Sequence, residues 1–146
     1  MGAPDFSTED LLEQARGNQT AFYYLAARRA KEMEGSVERW ASYVADDFAP
    51  SWDQMGDNAS ALEIATQSAM NMATTADMRV IDVSGDDSRA VVTLEGPEEE
   101  WVDTMKVAIE DLDRVNEIIF AAISTRRGLT YTQEREGGKV RMTFAK

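Results

Sequence analysis

The sequence predicts an α+β fold, and three observations carry that prediction. Apolar residues recur at helical spacing through the first part of the chain. Two pairs of β-branched runs then flank turn residues as hairpins. Between the hairpins lies one long helical stripe. The order is therefore N-terminal helices, then hairpin, long helix, hairpin (ββαββ). It implies a four-stranded antiparallel sheet with helices on one face. The 146 residues suit a single α+β domain, 1–146, and no repeat or low-complexity linker divides them.

Phe6-Ser7-Thr8-Glu9-Asp10-Leu11 marks the first helix start, with Ser7 as cap and Phe6 and Leu11 at the two staple positions. Gly17-Asn18 interrupts it weakly. Apolar spacing resumes through Phe22, Leu25, Ala26, Ala30 and Met33, and Gly35 ends it. Ser36 restarts a helix whose apolar face is Val37, Trp40, Ala41, Val44 and Phe48, and Pro50 stops it. Residues 51–57 predict an irregular loop carrying Trp52 and Met55. Asp57 or Asn58 then caps a third helix with Leu62, Ala65, Ala69, Met72 and Ala73 inward.

After Asp77 the period changes. Residues 78–83 and 89–94 are strand-like around Ser84-Gly85-Asp86-Asp87-Ser88. Pro97 and Glu98-Glu99-Glu100 open the longest predicted helix, with acids at the positive end of its dipole. Its stripe runs Trp101, Met105, Ala108, Ile109, Leu112, Val115, Ile119, Ala122, Ile123, and Arg126-Arg127-Gly128 closes it. The last hairpin turns at Gly137-Gly138, with Val140, Met142 and Phe144 alternating inward.

Composition narrows the chemistry. There is no cysteine and no histidine, which removes disulfides, thiolate or imidazole metal sites, a Ser-His-Asp triad and an imidazole base. The net charge of −12 repels phosphate backbones, so no nucleic-acid partner is expected. The pairs Arg28-Arg29 and Arg126-Arg127 fall late in predicted helices, where cations complement the dipole. No stretch reaches the ~20 apolar residues that span a bilayer, so no membrane partner is expected either. Residues 1–5 lack a basic segment followed by an apolar run. The expected setting is cytoplasmic, with no cofactor.

Several residues stand out against this background. Glu110, Asp113 and Glu117 share a helix face as a carboxylate metal site would, but the face lies opposite the apolar stripe and Glu110–Arg114 reads as an ordinary ion pair. Asp46, Asp47, Asp53 and Asp57 cluster near Trp52 without calcium-loop spacing, so no metal is expected. Asn116 sits on the edge of the long apolar stripe, where a buried amide needs partners and a ligand can be one. Trp52, Met55, Met72 and Trp101 belong to an aromatic and methionine set that suits either core packing or an adaptable cavity.

The segment 78–97, the long helix and the terminal hairpin together resemble the second half of the L-2-amino-thiazoline-4-carboxylic acid hydrolase-like proteins, themselves akin to 4-vinyl-reductase-type ligand-binding domains. The likeness covers residues 20–146 in element order. It implies a pocket for a small organic molecule and the frequent dimerisation of that group, as a homodimer. Members of that group often carry cysteines near the final hairpin; residues 129–144 have none, which counts against hydrolase activity. Trp40-Ala41-Ser42-Tyr43-Val44-Ala45-Asp46-Asp47-Phe48 and the hairpin 78–96 are similar to the SnoaL-like proteins of the nuclear-transport-factor type of fold. That fold continues with strands where residues 98–125 are helical here.

Three functions follow as expectations. The first is a small-molecule-binding domain with an apolar pocket between helical layer and sheet, lined by Trp52, Met55, Met72, Trp101 and Asn116. The second is an enzyme, of hydrolase or lyase type, using Asp53, Asp57 or Tyr43 for acid–base work. The third is a subunit or interaction module whose partner covers Trp52 and one sheet face.

Overall fold

A computed structural model describes residues 4–146. Ser7 opens the first helix, α1 (Thr8–Glu34), through a reciprocal cap: its hydroxyl accepts from the Asp10 backbone N–H, and the Asp10 carboxyl accepts from the Ser7 N–H. The helix runs unbroken through Gly17-Asn18. It ends where Gly35 turns left-handed at φ 78°, a conformation that costs glycine nothing. It buries Thr20, Tyr24 and Ala27. Phe22, Leu25 and Met33, the residues its apolar spacing singles out, point outward.

The second helix, α2 (Glu38–Phe48), begins after Val37 without a side-chain cap and buries Ala41 and Ala45. Where an irregular loop was expected, the chain forms a 3-10 helix, Ala49–Met55. Pro50 lies in its first turn, where the absent N–H breaks no bond. The next helix, α3 (Ala61–Thr75), is capped by Ser60, not by Asp57 or Asn58. Only Ser60 has an acid three residues on, and Glu63 closes the box.

Four strands, β1 (Arg79–Gly85), β2 (Arg89–Glu95), β3 (Thr130–Glu136) and β4 (Lys139–Ala145), form the antiparallel sheet in the order β1-β2-β4-β3. Their register sets Ala90, Val92 and Leu94 opposite Phe144, Met142 and Val140. All six side chains are buried on the sheet face that the helices cover. The β1 edge is looser: a bulge at Ile81 shifts its pairing with β2, and Val80 and Ile81 stay exposed.

The helix expected between the hairpins is two helices, α4 (Glu99–Met105) and α5 (Ile109–Arg126). Lys106 breaks them with a left-handed φ of 53°, and its N–H bonds back to the Val102 and Asp103 carbonyls. Neither glycine nor proline marks the break. Packing accounts for it: Val102 and Leu112 both close on Tyr24 and Ala27 beneath α1, with Val107 beside them. The longest helix of the fold is therefore α1.

The main core lies between the sheet and α2, α3, α5 and the 3-10 helix. An aromatic series threads it. Trp52 meets Phe48 and Phe120 edge-on, each at 6.4 Å, and Phe120, Tyr131 and Phe144 continue at 6.1 and 5.1 Å. Burial raises the Tyr131 hydroxyl well above its ordinary pKa.

Candidate functional site

Three connections converge beside the amino-terminal half of α1: the turn from α3 into β1, the turn from β2 into α4, and the β3–β4 hairpin. Asp77 stands at their junction with φ 54°, a conformation Asp tolerates better than most residues. The backbone before it is fixed by the Tyr24 hydroxyl, which donates to the Ala76 carbonyl at 3.0 Å. Gly96 approaches so closely that a Cβ there would lie 2.9 Å from the Asp77 carbonyl oxygen. Gly96 in turn donates to the Gly138 carbonyl at 2.9 Å and accepts from Arg135 at 2.9 Å.

Two concavities meet at this junction. One, of about 440 Å³, runs between Met78, Arg79 and the 95–98 turn. The other, of about 960 Å³, lies under α1 and is walled by Phe6, Leu11, Thr20, Ala73 and Trp101. Arg16 and Asp77 line both. Arg16 donates from Nε and Nη2 to the Ala73 carbonyl at 3.2 and 3.0 Å, a cation at the negative end of α3. Arg79 pairs with Glu95 on the rim.

Asp77 Oδ2 is shielded from solvent and has no hydrogen-bond partner among the described residues. Leaving such an acceptor unpaired costs about 1–3 kcal/mol, so a donor placed there would be held. Chemically the junction offers the unpartnered Asp77 oxygen, the Arg16 guanidinium and the Trp101 ring, with the carboxylates of Asp10, Glu13 and Glu98 around them.

The five residues expected to line a ligand pocket do not gather in one place. Trp101 walls the larger concavity. Trp52, expected as a lid, is 4% exposed and packs inside the aromatic series, with Met55 against the same core. Met72 is buried in that core. Asn116 is buried, and its Oδ1 accepts from the Tyr23 hydroxyl at 2.9 Å, so a tyrosine fills the role foreseen for a ligand. Burial also raises the pKa of the Tyr23 and Tyr24 hydroxyls, keeping them protonated donors.

The three acid–base candidates are also separated in role. Asp53 is gripped by Arg126 at 2.8 and 2.5 Å and by Arg127 at 3.2 Å, and the hydrogen bond from Arg126 is the main cause holding its carboxyl below the usual range. Tyr43 is exposed beside Trp40, and Asp57 is exposed. On α5 the expected Glu110–Arg114 pair is replaced: Arg114 bonds Glu38 and Glu117, while half-buried Asp113 takes a two-pronged bond from Arg135 at 2.5 and 2.8 Å. Asp113 thus faces the sheet and not solvent. Among the described residues, no group of three or more acidic side chains is arranged to hold a metal ion, and no helix is long and apolar enough to cross a membrane.

Arg16 and Asp77 were not singled out by sequence. Asp77 marked only the place where helical spacing gave way to strand spacing. No protein-family model matches the chain, and no curated protein matches it.

Proposed function

We propose that the protein is a small-molecule-binding domain whose ligand sits at the Arg16–Asp77 junction. The observation that carries this reading is the unpartnered, shielded Asp77 Oδ2 at the point shared by both concavities. The ligand class follows from the donors and acceptors there: a small organic molecule with an amine or hydroxyl for Asp77, an apolar or aromatic body for Trp101, and an acidic group within reach of Arg16. The site is more polar than most small-molecule pockets, with Asp10, Glu13, Gln14 and Asn18 standing beside Phe6, Leu11 and Trp101, which suits a polar ligand. It differs from the pocket between helical layer and sheet that the sequence suggested, because that space is filled by Trp52, Phe120 and Met72.

Native mass spectrometry of gently purified protein tests the reading. The expected result is a discrete adduct that disappears from an Asp77→Ala variant of unchanged circular dichroism. A chain that carries no adduct, and whose melting temperature ignores a panel of small amino acids, amines and polyols, would defeat it.

A further inference from the structure

We infer that the ligand of the junction is a cationic α-amino acid, carrying a second amine at the end of an aliphatic side chain. The inference rests on the site proposed above and narrows its ligand. Asp77 and Arg16, which line both concavities, take the α-ammonium and the α-carboxylate. The side chain then runs through the larger concavity, past Trp101, towards Glu13 and Asp10.

Charge selects the second amine. Among the described residues lining the larger concavity, Asp10, Glu13 and Asp77 are acidic and Arg16 alone is basic. Once an amino acid's own ammonium and carboxylate have matched Asp77 and Arg16, Asp10 and Glu13 remain. Glu13 makes no ion pair among the described residues. Asp10 accepts from the Ser7 hydroxyl and backbone N–H, and the hydroxyl bond is the main cause holding its carboxyl below the usual range, so it stays ionised. The smaller concavity is closer to neutral, with Arg79 paired to Glu95 on its rim.

Helical spacing sets the length of the ligand. Asp10, Glu13 and Arg16 follow one another at three-residue steps, each beside the next, and all three line the larger concavity. At 1.5 Å per residue Glu13 stands about 4.5 Å, and Asp10 about 9 Å, from Arg16 along the helix axis. An aliphatic stem like that of lysine carries a terminal ammonium over such an interval, and Trp101 offers a ring for the stem and its charge to lie against.

Gly17 keeps room for that stem. It lies inside α1, next to Arg16, where glycine is a poor helix former, and it lines the same concavity. No close packing asks for it, because nothing lies within 4 Å of the Cβ it lacks.

Four probes take the ligand apart by isothermal titration calorimetry on the full chain. L-Lysine is expected to bind tightest. L-Norleucine lacks the terminal amine and cadaverine the carboxylate, and each is expected to bind about tenfold more weakly, the loss of one charge-assisted bond. L-Glutamate sets an acid against Glu13 and is expected not to bind. Glu13→Gln is expected to weaken L-lysine about threefold, as an exposed pair does, and to leave L-norleucine unchanged. Gly17→Leu is expected to raise the melting temperature through helix propensity while weakening L-lysine about tenfold or more, which a merely structural role would not do. L-Norleucine or cadaverine binding as tightly as L-lysine, or L-lysine indifferent to Glu13→Gln or to Gly17→Leu, would each overturn the inference. If Asp77→Ala still abolishes the binding, or removes an adduct of another kind, the junction stands and only the ligand class falls. A chain that binds none of the four and carries no Asp77-dependent adduct defeats both.

Discussion

α1 and α5 are both long helices with apolar residues on more than one side, yet the fold treats them differently. α5 is enclosed: Val115, Ile119, Phe120 and Ile123 join the main core and Leu112 joins the smaller cluster under α1. α1 is enclosed on one side only, and its amino-terminal half is exposed over most of its length. The difference teaches that apolar spacing identifies which face avoids water, not which molecule covers it. In α5 the cover is the same chain; in α1 it must come from elsewhere or be water.

The sharpest way to break this contrast is to truncate matching side chains on the two helices. Ile123→Ala is expected to lower unfolding free energy by about 2–5 kcal/mol, since it removes a fully buried branched side chain and leaves a cavity. Leu25→Ala on α1, measured by urea unfolding at a dilution where the chain is monomeric, is expected to change it by less than about 0.5 kcal/mol. Equal losses would mean that α1 is packed more like α5 than its exposure indicates.

Alkaline titration sharpens the comparison next. Tyr131 on β3 packs against Phe120 of α5, and Tyr23 and Tyr24 belong to the inward side of α1; burial raises all three hydroxyls. A raised folded value means the folded state holds the proton longer. Its stability is therefore fully present below the unfolded value of about 10 and is lost as pH rises beyond that. Tyrosinate absorbance is expected to develop together with loss of circular dichroism. Ionisation of all four tyrosines before any unfolding would contradict the burial of these three.

Smaller effects should follow at the helix starts. Ser60→Ala removes a reciprocal cap at the start of α3, where Ala61, Ile64 and Ala65 are buried, and is expected to cost about 1 kcal/mol. Ser7→Ala removes the equivalent cap from α1, where the first turns are exposed. There the expected effect is local: faster amide exchange in the first turns, with little change in the global urea midpoint. The smallest effect concerns Asp53. Its folded carboxyl value is lowered, chiefly by the Arg126 hydrogen bond, so the stabilisation is present above the unfolded value of about 4 and is lost as pH falls through the folded one. Asp53→Asn is expected to flatten the melting temperature's decline below that pH.

Much of the fold was legible because it rests on local signals. Gly137-Gly138 and the Ser84–Ser88 turn announced the hairpins, and Val140, Met142 and Phe144 alternate as a half-buried strand must. The Lys106 break was not legible, because the apolar stripe continues across it and the cause is tertiary: Val102 and Leu112 converge on Tyr24. The cap of α3 was legible in principle, since the Ser60–Glu63 pair is the stronger signal beside Asp57. The outward turn of Phe22 could not be read from spacing, for spacing is blind to what lies across the helix. Nor could the junction, since Arg16 and Asp77 meet only through the return of α3 beneath α1, and Asp77 looks in sequence like any turn residue.

The contact between Gly96 and the Asp77 carbonyl makes the junction a mechanical hinge point with no slack. Three connections far apart in the chain share it, and a side chain as small as alanine at residue 96 would force them apart. Gly96 is also tied directly to the Gly138 carbonyl, so a side chain added at residue 96 is expected to disturb the tip of the last hairpin together with the Asp77 turn.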